Sequence, residues 1–241
     1  MSATLLELPV GKLVADCPAR SHVFEHFGID YCCGGKKALS DACAEKDIDP
    51  DTVLRDLIEA DAKPKKTFVV DWSAANLTFI CDYVVLRHHQ YLAAALPRLD
   101  ALCRKVRSAH SERHPELSDL AFIFSTFRHD LEIHMAREEA ILFPHIKSLE
   151  GFGPKPAPTC GTIESPIAVM EDEHEAAGAA LELMRKMTGD FTVPPEACNT
   201  WRALIDGLKE LEEDMHQHVH IENNILFPRA TQLEHIVRNR E

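Results

Sequence analysis

Apolar residues recur along the chain at helical spacing, in short runs before residue 60 and in long runs after residue 73. The segment 53–58 is a short example, and Pro50 ahead of it suits the start of a helix. The longer runs predict four helices, over residues 73–107, 115–149 and 165–188 and from 195 onward. Ser73 is the predicted N-cap of the first. Pro144 and Pro228 are expected to kink or end the second and fourth.

Turn and linker signals divide the chain into a small N-terminal part and a larger C-terminal part. Gly34-Gly35 interrupts the short helical patterns, and the stretch at 62–67 is basic and contains a proline. We therefore predict a small helical domain at 1–61, a linker at 62–72 and a helical bundle at 73–235, with a Gly/Pro-rich loop at 151–158. Four long helices with short connections predict an up-down-up-down bundle, so the predicted fold class is all-α.

Composition narrows the classes of partner. The net charge of −13 argues against a nucleic-acid partner, which needs a basic surface. No stretch approaches the ~20 uncharged apolar residues of a membrane span. The N-terminus has no basic region followed by a long apolar core, so we expect no secretory signal and a cytoplasmic location. The oligomeric state stays open, with a homodimer among the alternatives.

A duplicated motif is the main chemical signal. The pattern D-x-x-x-H-x-x-x-E-x-x-I-L-F-P occurs twice, 84 residues apart. Its polar positions are Asp130, His134 and Glu138 in the first copy and Asp214, His218 and Glu222 in the second. A second repeat, with a spacing of 85 residues, relates His89 and the Ala-Ala-Leu that follows it to His174 and its own Ala-Ala-Leu. Two similar helical hairpins are therefore predicted, each with a lone histidine and then a His/Glu pair one turn apart.

These residue types at this spacing predict a two-metal centre. Helical residues at i and i+4 share a face, so each His/Glu pair can reach a common point. The repeat favours Glu138 over Glu139, and it favours His89 over His88. The predicted ligands are His89, His134, Glu138, His174, His218 and Glu222.

The predicted ligand set also defines the coordination that we expect. If Glu138 and Glu222 bridge and an oxo or hydroxo group is shared, each metal keeps one open position. Imidazole and carboxylate ligands favour non-haem iron or manganese, and zinc stays open. Asp130 and Asp214, one turn before His134 and His218, are the expected outer partners of those histidines. The alternatives are helix-stabilising His/Glu pairs and a metal-free structural bundle.

Adjacent cysteines form a second motif. Cys32-Cys33 precedes a Gly-Gly turn, where the pair is expected to be partly exposed and to act as a redox couple or a transient soft-metal acceptor. Two inert thiols are the alternative. The chain has eight cysteines without a C-x-x-C pair, and most are expected to be reduced thiols.

Both halves resemble known families. The duplicated His/Glu motif resembles the hemerythrin-like domain, and Gly-Ile-Asp-Tyr-Cys-Cys-Gly-Gly at 28–35 resembles the N-terminal domain of the RIC proteins (repair of iron centres, YtfE/ScdA type). The resemblance implies two non-haem irons on the six residues named above, with Glu138 and Glu222 bridging. It also implies a role in repairing iron–sulfur clusters damaged by nitrosative or oxidative stress, through iron donation, NO reduction, or both. Damaged iron–sulfur proteins are the implied clients, and NO or O2 the small ligands.

Details of the resemblance lead to further expectations. Oxygen-carrying hemerythrins have a second histidine one turn after His174, where this chain has Gly178, so the site is less saturated. That difference favours reactivity or metal release over reversible oxygen storage. In this hypothesis Cys32 and Cys33 assist delivery or redox cycling, and Glu173 is a proton or ion relay. The alternative function is a di-iron sensor or scavenger of NO or O2 without turnover.

Overall fold

The computed structural model describes residues 5–62, 70–152 and 162–239. Within these ranges all repeating secondary structure is helical, and a single isolated antiparallel bridge joins Pro9 and Ala38. The predicted all-α fold class is confirmed. Most of the predicted linker at 62–72, most of the loop at 151–158, and Cys160 lie outside the described residues. The predicted domain boundaries stay predictions.

Short helices follow one another in the N-terminal part. Helix α1 spans Val10–Asp16, and α2 spans Ser21–Phe27 after a 3-10 turn at Pro18–Arg20. Helix α3 spans Leu39–Glu45 and α4 spans Pro50–Ala62. The side chains that they bury form one small core, which includes Val10, Leu13, Phe24, Tyr31, Leu39 and Leu57.

Long helices dominate the rest of the chain, and three of them contain a π-helical turn. Helix α5 at Leu77–Val84 continues through a π turn at Val85–His89 into α6 at Gln90–His110. The other helices are α7 at Glu116–Arg137 with a π turn at Glu138–Leu142, α8 at Phe143–Leu149, α9 at Glu164–Met187, α10 at Asn199–Ile221 with a π turn at Glu222–Leu226, and α11 at Phe227–Arg238.

The structure corrects one part of the prediction for the two prolines. Pro144 and Pro228 do not end their helices, because α8 and α11 continue beyond them. The expected kink stays a prediction. Each proline is preceded by a wider turn, in which the N–H of Phe143 or Phe227 bonds the carbonyl five residues earlier. This wider spacing leaves room for the proline ring, which clashes with the carbonyl four residues earlier in a regular α-helix.

The predicted N-cap Ser73 is also wrong. Helix α5 begins at Leu77, and the Asn76 side chain accepts a hydrogen bond from the backbone N–H of Phe79 at 2.7 Å. Ser73 belongs to a preceding turn, in which its hydroxyl donates to Asp71 at 2.6 Å. Both residues are good capping types, and the local turn on Asp71 is why the helix begins later.

The chain divides into two compact units, Met1–Ile80 with His216–Glu241, and Cys81–Met215. In the first unit, α1 packs against the π turn at Glu222–Leu226. In the second unit, α7 packs against both α6 and α9. Arg185 of α9 pairs with the buried Glu212 of α10, and Gly207 of α10 faces Leu99 of α6. Each of these four helices therefore has a neighbour on either side, as in a bundle.

None of the helices in the described part of the chain combines the length and the apolar character needed to cross a lipid bilayer.

Candidate metal centre

The six predicted ligands are all buried, with at most 3 % of each residue exposed. Ionisable side chains rarely stay buried without a compensating partner, because removing a charge from water costs several kcal/mol. Three of the six lie at π turns: His89 ends one, and Glu138 and Glu222 each begin another. Turns of this kind occur often at functional sites, where the extra residue changes the direction of a side chain.

In the second unit, one carboxylate lies between two imidazoles. The Oε2 atom of Glu138 is 3.3 Å from Nε2 of His89 and 3.3 Å from Nε2 of His134. The ligand atoms of His134, Glu138 and His174 lie within 4.8 Å of one another. The structure therefore brings together four of the predicted residues, from the helical segments that start α6, end α7 and cross the middle of α9.

The spacing of two nitrogens fits a shared metal ion. Nε2 of His134 lies 3.0 Å from Nε2 of His174. Two nitrogens that bind one metal at about 2.1 Å, roughly at right angles, are about 3 Å apart. The ring positions of His134 and His174 thus match those of two ligands of one ion.

In the first unit, the second His/Glu pair has the same i,i+4 arrangement. Nε2 of His218 lies 3.2 Å from Oε1 of Glu222, and neither residue is exposed. The two residues occupy the last turn of α10 and the start of the π turn that follows. Both copies of the sequence motif therefore fold into a buried His/Glu pair at the same position relative to a π turn.

Carboxylates from outside the ligand set hold two of the imidazoles. Nδ1 of His89 lies 2.8 Å from Glu139, and Nδ1 of His134 lies 2.8 Å from Glu173. An ionised carboxylate only accepts hydrogen bonds, so each Nδ1 donates and each Nε2 keeps its lone pair for a metal. Arg137 also donates to Glu173, at 2.6 Å, which fixes that carboxylate in turn.

These partners differ from those predicted. Asp130 was expected to hold His134, but Asp130 is exposed and Glu173 takes that place. The reason is geometric, because the Nδ1 edge of His134 faces α9 and not the preceding turn of its own helix. Asp214 pairs with Nδ1 of the buried His88 at 3.1 Å, which the sequence did not predict. The role of Asp214 toward His218 stays a prediction.

An apolar cavity of about 390 Å³ lies between α7 and α9, in the second unit. Its lining includes Phe122, Phe127 and Ala177, and it also includes the ligands His134 and His174. Arg137, Glu173 and Asp130 are among its polar lining residues. A small apolar molecule therefore has a protein-lined space that borders two of the candidate ligands.

The Cys32-Cys33 loop is more buried than expected. Asp30 accepts hydrogen bonds from the backbone N–H groups of Cys32, Cys33 and Gly34 at 2.8–3.0 Å, and from the Cys32 thiol at 3.1 Å. Cys32 is buried and Cys33 is half-buried. A hydrogen bond with Cys33 and burial raise the pKa of Cys32 well above its usual value. The expected exposure of the pair is therefore wrong for Cys32, which is a protonated thiol at neutral pH.

Cys198 is a thiol with a lowered pKa that the sequence did not single out. It is exposed just before α10, with Sγ 3.3 Å from Nε2 of His110. Hydrogen bonds from His110 and from the backbone N–H of Trp201 lower the pKa of Cys198 to about 7. The described cysteines form no disulfide with one another. The expectation of reduced thiols stays a prediction.

Comparisons with known proteins agree with this site. The hemerythrin HHE cation binding domain matches residues 82–230, and ScdA_N, a domain of unknown function (DUF542), matches residues 6–61. The chain is 38% identical to the iron-sulfur cluster repair protein YtfE of Escherichia coli O81 (strain ED1a) over 222 residues, which cover 92% of this chain and 96% of that protein. It is 37% identical, with the same coverage, to the protein of that name in Escherichia fergusonii.

The buried histidines and glutamates and the match to a cation binding domain together suit a non-haem iron site. Their oxygen and nitrogen donors, without a thiolate, are the ligands that such iron takes. By its matched domains and its identity to these relatives, the chain belongs to the hemerythrin HHE family, among the proteins that pair this domain with an N-terminal ScdA_N domain.

Proposed function

We propose that one dinuclear non-haem iron centre is held by His89, His134, Glu138, His174, His218 and Glu222. Glu138 and Glu222 are the bridging carboxylates, and a shared oxo or hydroxo group leaves one position open on each ion. The duplicated motif supports this arrangement, because each copy contributes one buried His/Glu pair and one further histidine. The position of the Glu138 carboxylate, at equal distance from His89 and His134, also supports a bridging role.

The function that we infer is repair of iron–sulfur clusters damaged by nitrosative or oxidative stress, in the cytoplasm, with damaged iron–sulfur proteins as clients. The name of the relatives supports this inference. The observation that carries it is a buried pair of imidazoles, His134 and His174, that lines an apolar cavity, with the Glu173 carboxylate behind His134. Such a cavity suits NO and O2, which are small and nearly apolar.

Held by these residues, ferrous iron would supply the two electrons that, with two protons, convert two NO to N2O and water, or it would be the iron that is donated. The protein groups around the iron have separate tasks. Glu139 and Glu173 keep the Nε2 lone pairs of His89 and His134 directed toward the metal. Arg137 pairs with Glu173 at 2.6 Å and fixes the position of this carboxylate beside the apolar cavity. The relay role of Glu173 and the delivery role of Cys32 and Cys33 stay predictions.

Anaerobic mixing of the reduced, iron-loaded protein with excess NO tests the enzymatic part of this function. With an electron donor present, we expect N2O to form over many turnovers. In a parallel experiment, the protein is incubated with an apo iron–sulfur protein, and iron transfer restores the cluster when sulfide is supplied. Binding of NO without N2O release, together with no iron transfer, would identify a sensor or scavenger and contradict the proposal.

Replacement of Glu173 by glutamine is expected to weaken iron binding about 10- to 100-fold, the usual effect of removing a carboxylate behind a metal-bound histidine. The amide keeps the size of the side chain but is a weaker acceptor for His134 Nδ1 and no longer balances Arg137. Competition with a calibrated chelator measures the affinity. Glu175→Gln, an exposed position on the same helix, is the matched control and should bind iron like the wild type. Equal affinities in the two variants would exclude this role of Glu173.

A further inference from the structure

Two glycines of the N-terminal part have no conformational reason to be glycine. Gly11 lies inside helix α1, where alanine is the more favourable residue, and Gly35 ends the Cys-Cys-Gly-Gly sequence. The positive-φ glycines of the described residues are Gly28, Gly151 and Gly189. Gly11 and Gly35 thus have backbone conformations open to other residues, so the reason for glycine must be space.

The side chain of Asn224 occupies the space beside both glycines, and at Gly35 a Cβ atom would also meet the carbonyl oxygen of Tyr31 at 2.7 Å. A Cβ atom would lie 2.4 Å from the Asn224 Oδ1 atom at Gly11, and 2.2 Å from it at Gly35. Both distances are far shorter than an ordinary van der Waals contact. Gly34, between these positions in the sequence, faces Asp30 instead. The chain therefore has glycine at both places where the Asn224 amide needs to approach the backbone.

Hydrogen bonds also hold the Asn224 amide in this position between Gly11 and Gly35. Its Nδ2 atom donates to the carbonyl oxygens of Cys32 at 3.0 Å and Tyr31 at 3.3 Å. The N–H of Gly11 donates to the carbonyl of Gly35 at 2.9 Å, which joins α1 to the cysteine loop. One side chain from the C-terminal part of the sequence thus contacts both α1 and the loop.

Asn224 lies in the π turn that begins with the candidate ligand Glu222. The Tyr31 ring packs edge-on against His220 of the preceding turn, with ring centroids 5.4 Å apart. The cysteine loop is therefore seated on the same helical turn that presents Glu222. Because the carbonyls of Tyr31 and Cys32 accept hydrogen bonds from Asn224, the loop can move away from this turn only if those hydrogen bonds break.

We propose that Asn224 is a positioning residue, whose amide, seated between Gly11 and Gly35, holds the Cys32-Cys33 loop on the turn of Glu222 and keeps Cys32 inaccessible until the loop leaves. The relevance of this contact to repair rests on the proposed function. The contact itself is testable without iron, NO or a client protein. A failure of the repair assays would leave its test unaffected.

The test measures how fast iodoacetamide alkylates Cys32 and Cys33 in the full-length chain, with the sites assigned by peptide mass spectrometry. In Asn224→Ala, we expect Cys32 to react about tenfold faster than in the wild type, since two hydrogen bonds that keep the loop closed are lost. Cys198 is the internal reference, because its exposed thiolate should react at the same rate in all variants. In Asn224→Asp the shape of the side chain is kept, but an oxygen replaces the donor nitrogen and faces the carbonyl oxygens of Tyr31 and Cys32. The loop should therefore leave its position more often, and Cys32 should be alkylated faster than in Asn224→Ala.

A second substitution separates a specific contact from general loosening. Gly11→Ala should also accelerate Cys32 alkylation in the wild type, because the new methyl group meets Asn224. In the Asn224→Ala background the same substitution should add little, since most of the atoms it meets are gone. Lys12→Ala, on the exposed face of α1, is the control. Circular dichroism checks that each variant is folded.

Unchanged Cys32 reactivity in folded Asn224→Ala and Asn224→Asp would overturn the proposal. So would fully additive effects of Gly11→Ala and Asn224→Ala.

Discussion

Replacement of Glu138 by alanine is expected to lower the iron content from about two ions per chain, as in di-iron carboxylate bundles, to less than one. The Glu138 carboxylate is within 3.3 Å of both His89 and His134, so its removal affects the ligands of both proposed ions. Iron is measured by elemental analysis after reconstitution under anaerobic conditions, and the visible absorption of the oxidised centre should disappear with it.

Glu139→Ala is the matched control for this experiment. Glu139 is adjacent in sequence and partly exposed, and its Oε1 atom lies 2.8 Å from Nδ1 of His89, the nitrogen that is not a proposed metal ligand. We expect this variant to bind iron more weakly but to reach full occupancy when iron is in excess. Retention of about two irons by Glu138→Ala would show that Glu138 is not a bridging ligand.

Removal of iron by a chelator is expected to lower the thermal unfolding midpoint of the wild type by about 10 °C. A metal present at about 1,000 times its dissociation constant stabilises the folded state by roughly 4 kcal/mol. For a domain of this size, each kcal/mol shifts the midpoint by about 2–4 °C. The physical reason is that metal binding compensates the burial of ionisable groups, among them Glu138, Glu222 and His218.

Differential scanning calorimetry with and without the chelator measures this shift. The Glu138→Ala variant is the control, and its midpoint should not change on chelation, because little metal is bound. Equal midpoints of the wild type with and without metal would mean that these buried groups are compensated within the protein alone.

Much of the site was open to prediction because its signals are local. The i,i+4 spacing places His134 and Glu138 on one helical face, and the repeat distinguishes Glu138 from Glu139. The structure brings His89, His134, Glu138 and His174 together, and it buries His218 beside Glu222. The all-α fold follows from the same helical periodicity, over segments long enough to be read reliably.

The errors concern which hydrogen-bond partner a polar side chain takes. Asp130 shares a helix with His134, but the partner of that imidazole comes from another helix, as Glu173. Periodicity predicts which residues share one face of a helix, but it does not predict which side chain of a neighbouring helix contacts that face. Ser73 and Asn76 are equivalent as caps in sequence, and a local hydrogen bond to Asp71 decides between them.

The π turns and the contacts of Asn224 with Gly11 and Gly35 could not be predicted, because local composition does not indicate them. A π turn needs one extra residue in a helix, and nothing in local composition marks it. Proline at 144 and 228 indicated an irregularity but not its type. Nothing in the sequence distinguishes Gly11 and Gly35 from ordinary helix or turn glycines, and the short distances to Asn224 and to nearby backbone oxygens show why a Cβ atom is excluded there.

Elemental analysis combined with Mössbauer spectroscopy of the purified protein decides whether these residues hold a dinuclear iron centre. We expect about two irons per chain, in a magnetically coupled pair. A single uncoupled iron, or a stoichiometric amount of zinc with no iron, would contradict the dinuclear iron centre on which the proposed function depends.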